Sequence, residues 1–200
     1  EWIRKVVKRL ELPAKVEDLP PLIPEKIYLA AINHEYLVQR VPAVIISEKL
    51  IDAEKIIRTA TGLLSIEIDG GILLPDGVTE EEQAELLCCW LVRCGKEYLP
   101  ELLEEASHSV GIPYEKVQIR LQKGRWGSCS CRGTISLNAR LLLLPEEHLN
   151  YILLHELAHV RHPNHSNSYW NFLITLDSKA LEHDIAMRDA WKHIPFCFSM

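Results

Sequence analysis

The run His155-Glu156-Leu157-Ala158-His159 sets two imidazoles four residues apart with a carboxylate between them. On a helix, positions i and i+4 share a face, so both rings can reach one ion. Neutral imidazole nitrogens bind Zn²⁺ at about 2.0–2.1 Å. Glu156 projects about 100° round the helix from His155, where it can act on a metal-activated water without being a ligand. Such a set hydrolyses polar bonds, with the carboxylate as general base. The pattern also recurs by chance, so its surroundings must decide.

Those surroundings predict a helix. Pro145 suits a helix start, and Glu146 and Glu147 favour the positive end of the helix dipole. No Gly or Pro interrupts the run to His162, and Pro163-Asn164 ends it. Leu149, Leu153, Leu157 and Val160 cover one side, while Tyr151, Ile152, Leu154 and Ala158 fill much of the rest. A helix apolar nearly all round is a buried one. Buried histidines and a buried glutamate need partners, because unpaired buried polar groups are destabilising by several kcal/mol, roughly 2–7. A metal would supply them.

The rest of the chain must position this helix. Trp2, Ile3, Val6, Val7 and Leu10 recur at helical spacing, and Pro13, Pro20, Pro21 and Pro24 form an extended connector. Residues 26–41 read as a hairpin turning near Asn33-His34-Glu35. Residues 44–46, 63–68 and 72–74 read as strands, with Asp69-Gly70-Gly71 as a turn. Thr79 and Glu82 form a capping box opening a helix towards Leu99, which Pro100 restarts and Gly111 ends. Alternation at 117–121 and 134–137 makes residues 117–138 a hairpin-like unit. Residues 1–60 are expected to form an appendage of helix end, connector and strands, and residues 61–200 the catalytic domain.

Composition sets the bounds. With 48% apolar and 25% charged residues, the chain reads as an ordinary soluble globular protein. A net charge of −6 argues against nucleic acid or an anionic membrane as partner. The apolar runs at 86–92 and 141–144 are far too short to span a bilayer, and the opening residues do not read as a signal peptide. Adjacent Cys88 and Cys89 suit a packed core, and all six cysteines read as reduced thiols. The expected location is the cytoplasm.

Further motifs surround the central one. They are Arg125-Trp126-Gly127-Ser128-Cys129, Ile135-Ser136-Leu137-Asn138, Leu144-Pro145, Asn164-His165-Ser166 and Tyr169-Trp170. In this order the chain resembles the YgjP-like metal-dependent hydrolases, which are zinc metallopeptidases related to SprT-like and Wss-type proteases. The motif-dense resemblance covers residues 63–191. It implies an α+β, zincin-like (minigluzincin-like) fold with a small mixed or antiparallel sheet over the metal helix. It also implies His165 as third ligand of one catalytic Zn²⁺, beside His155 and His159.

Spacing reaches His165 too, since six residues after the second histidine is where metzincins place their third. His162 competes, one turn beyond His159. Three rings in line on a straight helix cannot converge, however, because His155 and His162 differ by about 10.5 Å in rise. The metzincin Gly and Met-turn are both missing, so only the geometry carries over. The expected activity is zinc-dependent hydrolysis of peptide bonds by a metal-activated water, with Glu156 as general base.

Residues 134–138 are expected to act as an edge strand pairing with an extended peptide, through Ile135, Leu137 and Asn138. Tyr169 is a candidate oxyanion donor, while Trp126 and Trp170 read as packing around the site. Two alternatives stand beside this reading. One is a nucleotide phosphoanhydride hydrolase with Arg125, Arg132 or Arg140 on phosphate; the other is a non-enzymatic, zinc-stabilised interaction module.

Overall fold

The computed structural model describes residues 22–199. The expected helix end at 2–10 and the prolines up to Pro21 lie outside the described residues. The chain divides into two compact units. One comprises His34–Trp90, the described residues up to Tyr28, and those from Trp191 onward; the other comprises Leu29–Asn33 and Leu91–Ala190.

A mixed sheet organises the first unit. Its strands are β1 (Lys26–Leu29), β2 (His34–Val41), β3 (Lys55–Arg58), β4 (Leu64–Ile68) and β5 (Gly71–Pro75), in the order β1-β2-β5-β4-β3. β2 runs parallel to β5, whereas β4 is antiparallel to both β3 and β5. The turn between β4 and β5 has positive φ at Asp69 (50°) and Gly70 (68°), the combination that matches strand twist. Glu67 is buried in this sheet, bonded to Lys55 Nζ (3.2 Å) and to the Trp90 indole N–H (2.7 Å).

Two sequence expectations change here. Residues 44–46 are not a strand but part of helix α1 (Ala43–Glu48). Only Ile46 of the three is buried, packing on Ile66 and Leu73. Such a short apolar run carries no periodicity to separate helix from strand. β3 was not anticipated, because charges at Lys55 and Arg58 mask a run in which only Ile57 is buried. The expected division at residue 60 falls between β3 and β4 of this one sheet.

The long helix α2 (Glu80–Val110) opens in the anticipated capping box. The Thr79 N–H donates to Glu82 Oε2 (2.8 Å), and the Glu82 N–H donates to Thr79 Oγ1 (3.2 Å). It continues through Pro100 without restarting; burial of Leu99 and Leu103 outweighs the one backbone bond a proline forfeits.

In the second unit, β6 (Lys116–Arg120), β7 (Gly127–Cys129) and β8 (Thr134–Asn138) form a sheet in the order β6-β8-β7. Residues 117–138 are therefore not a simple hairpin: β6 pairs parallel with β8, and β7 supplies the antiparallel partner. Helix α2 lies close on this unit at Gly95, where a Cβ would come within 2.9 Å of Ile119 Cγ2 and 3.1 Å of Ala139 Cβ. Three further helices follow: α3 (Glu146–Arg161), α4 (Asn167–Leu176) and α5 (Ala180–Asp189). α3 packs against β7, α4 and α5. A mixed sheet over the helix that carries the histidines is the expected α+β, zincin-like arrangement. No described helix is long and apolar enough to cross a membrane.

Candidate metal centre

Helix α3 holds His155 and His159 on one face, and the chain leaves it at His162 (φ −128°, ψ 91°). The His162 N–H still closes the last turn on the Ala158 carbonyl at 2.9 Å. Pro163 has no N–H to continue the helix, and extended Ser166 (φ −70°, ψ 170°) then starts α4. This reversal returns His165 to the other two rings. His155 and His159 Nε2 lie 3.3 Å apart, and His165 Nε2 lies 3.1 Å from His159 and 3.2 Å from His155.

The triangle fits a metal. Nitrogens at about 2.0–2.1 Å from a tetrahedral ion stand roughly 3.3 Å from each other. Ligand imidazoles must be neutral, and burial favours that form at His155 and His159. Burial, then the neighbouring His159 and His165, lowers the His155 pKa to about 3 against the opposing pull of Asp184. Burial lowers that of His159 as well. His159 Nδ1 can donate to the His162 carbonyl (3.0 Å), which leaves its Nε2 lone pair facing the triangle. Nitrogens this close repel unless a proton or a cation lies between them. Among the described residues the cluster has three members, so a tetrahedral ion would keep one position open.

Glu156 sits beside the triangle, 4% exposed, and its Oε2 has no hydrogen-bond partner among the described residues. Burial raises its pKa to about 8, against the downward pull of Arg125. β7 closes over it: a Cβ on Gly127 would meet Oε1 directly and come within 2.7 Å of Cγ and 2.8 Å of Cδ.

A pH dependence follows for the metal-stripped protein. A carboxyl whose folded pKa exceeds its ordinary 4.5 stays protonated while the unfolded chain ionises. Its stabilising contribution is complete below 4.5 and is lost as pH rises to about 8. Metal-stripped Glu156→Gln should therefore gain in melting temperature over metal-stripped wild type across that window, at about 2–4 °C per kcal/mol. Thermal unfolding in chelator measures this, and a difference independent of pH would refute it.

The expected peptide contacts need correction. β8 is the central strand, bonded on both sides, so it has no free edge to offer a substrate. Ile135, Leu137 and Asn138 are fully buried. The Asn138 amide donates to the Gln122 (2.8 Å) and Arg125 (2.9 Å) carbonyls, which pins the loop before β7. Tyr169 is buried as well, stacked on His159 (centroids 4.5 Å apart), and its hydroxyl donates to the His155 carbonyl at 3.4 Å. It braces the two histidines.

Other candidates separate cleanly. The His162 ring lies against Phe172, 5.1 Å between centroids, outside the triangle. Arg140 is buried and donates to the Gln122 carbonyl at 3.0 Å, so it is not available to a phosphate. Cys129 and Cys131, a Cys-x-Cys pair that could offer thiolates to a zinc ion, do not suit the role: the Cys129 thiol is pushed up to about 11 by burial and then by Glu156, which disfavours the thiolate a zinc ligand must be. Sequence reasoning missed Gly127 as the residue whose missing side chain makes room for Glu156. The Arg-Trp-Gly-Ser-Cys run marked the segment, but not that role.

Comparison with known proteins agrees with this chemistry. The family model described as "YgjP-like, metallopeptidase domain" matches residues 1–189. Two solved structures are similar over part of the chain. The metallopeptidase zymogen of Pyrococcus abyssi abylysin is 34% identical, covering 44% of this chain and 90% of its own, with a TM-score of 0.39. The metallopeptidase zymogen of Methanocaldococcus jannaschii jannalysin is 26% identical, covering 46% of this chain and 94% of its own, with a TM-score of 0.40. No curated protein matches.

Proposed function

The chain belongs to the YgjP-like metallopeptidase family, and on that premise we propose that it is a zinc-dependent peptidase with His155, His159 and His165 as ligands and Glu156 as general base. The family makes it a metal-dependent hydrolase acting on peptides or proteins. The observation that carries the finer reading is the triangle of three Nε2 atoms 3.1–3.3 Å apart beside a buried, unpartnered carboxylate oxygen.

Zinc in such a site supplies Lewis acidity and lowers the pKa of water to about 7. The protein's own groups do the rest. Tyr169 stacks on His159 and bonds the His155 backbone, so the rings are held before any ion arrives. Glu156 Oε2, with no competing donor, accepts a proton from the attacking water and returns it to the leaving amine. β7 takes over the role first expected of β8. It is an edge strand of its sheet, it packs on α3, and its Gly127 backbone lies against Glu156, so an extended peptide paired there would run past the carboxylate. All these residues fall within the expected catalytic region, 61–200. Six cysteines present as thiols rather than disulfides fit a reducing compartment, the cytoplasm.

Metal analysis joined to a peptide-library digest, with a nucleotide panel beside it, tests the reading. Cleavage should disappear in chelator and return with stoichiometric zinc. Peptide cleavage indifferent to chelator, or hydrolysis of nucleotides alone, would overturn it.

A further inference from the structure

On α3, one turn before His155, Tyr151 is 2% exposed, and its hydroxyl lies between two polar partners. Its oxygen is 3.3 Å from His155 Nδ1, and its proton is donated to Asp184 Oδ1 at 3.2 Å. Asp184 stands on α5, where its other oxygen, Oδ2, accepts from Arg188 at 2.9 Å. A chain of polar contacts thus runs from exposed Arg188 through Asp184 and Tyr151 to a ring whose opposite nitrogen faces the triangle.

The direction of that chain matters. A phenol has one proton, and a carboxylate can only accept. With the Tyr151 proton committed to Asp184, the Tyr151 oxygen must accept from His155, so the imidazole proton sits on Nδ1. Nε2 is then left with the lone pair a metal needs. His159 reaches the same tautomer by a different device, a backbone carbonyl. Asp184, 33 residues from Tyr151, accepts from the hydroxyl that lies between it and the ring.

We infer that Tyr151 and Asp184 are positioning residues of the metal centre, a relay that fixes the tautomer and ring orientation of His155 by committing the Tyr151 proton to Asp184. The inference rests on His155 being a ligand, as proposed above. Partners of this kind are worth about 10- to 100-fold in metal affinity when removed.

Zinc dissociation constants, read by competition with a chelating dye, test it in five variants. Tyr151→Phe and Asp184→Ala should each weaken zinc about 10- to 100-fold. Their double variant should lose clearly less than the two single losses combined, because Asp184 orients the ring through the Tyr151 hydroxyl. Asp177→Ala is the structural control. It removes the His183 contact (2.7 Å) and the Lys179 N–H bond (2.9 Å) near the start of α5, meets Tyr151 only through the His183 ring packed on it (centroids 5.7 Å apart), and leaves the relay's hydrogen bonds in place, so it should weaken zinc far less than either relay variant. The Co²⁺-loaded protein should change its visible spectrum in the relay variants but not in the control. Wild-type affinity in Tyr151→Phe and Asp184→Ala, additive losses in the double variant, or equal losses in Asp177→Ala would each overturn the relay. His155→Ala separates the two readings: undiminished zinc binding there overturns the ligand assignment and the relay with it, whereas weakened binding there beside unaffected relay variants overturns the relay alone.

Discussion

Replacing Glu156 with Gln is expected to leave zinc bound and to lower turnover by about 10²–10⁴. The amide has the shape of the carboxyl, and Glu156 lies outside the triangle of nitrogens, so the site should still load. What the amide cannot do is accept a proton. The carboxyl suits that task because it is buried beside the triangle and its Oε2 has no hydrogen-bond partner among the described residues. His155→Ala, by contrast, removes one of the three proposed ligands and should lose zinc and activity together. Metal content and peptide cleavage measured on the same preparations distinguish the two. A metal-loaded Gln variant with full activity would end the general-base assignment.

Gly127→Ala should lower turnover about 100-fold, with zinc retained, because an atom forced about 1 Å out of place near the reacting groups has effects of that order. The added methyl would meet Glu156 at Cγ, Cδ and Oε1, and a 4%-exposed side chain has little room to yield. Overpacking of this kind also destabilises by about 1–3 kcal/mol. Gly77→Ala is the comparison, since nothing lies within 4 Å of the added carbon there. Shortening the carboxylate in Gly127→Ala/Glu156→Asp should restore the melting temperature lost in Gly127→Ala, because it vacates the same space. Unchanged kcat and melting temperature in Gly127→Ala would show that β7 does not press on Glu156.

How much of this was legible in the residues depends on how local each feature is. Helix α3 reads from sequence because its apolar pattern, its acidic first turn and the Pro163 break are all local. The capping box at Thr79 is local in the same way. The run 44–46 is local too, but too short to carry a period, and it folded as helix rather than strand. Strand β8 shows the other limit. Its alternation is compatible with a central or an edge position, and only the parallel pairing with β6 on one side and the antiparallel pairing with β7 on the other decides.

By itself the sequence determined the metal chemistry: two imidazoles and a carboxylate on one helix, with a third imidazole past a proline. Each of those follows from helix geometry and chain stiffness over a few residues. Tertiary structure alone decided what surrounds them. Among the described strands β7 rather than β8 lies at the sheet edge beside the site, Gly127 makes room for Glu156, and Asp184 reaches Tyr151 from a helix 33 residues away. Those relations depend on which surfaces pack together, and no spacing along the chain encodes that.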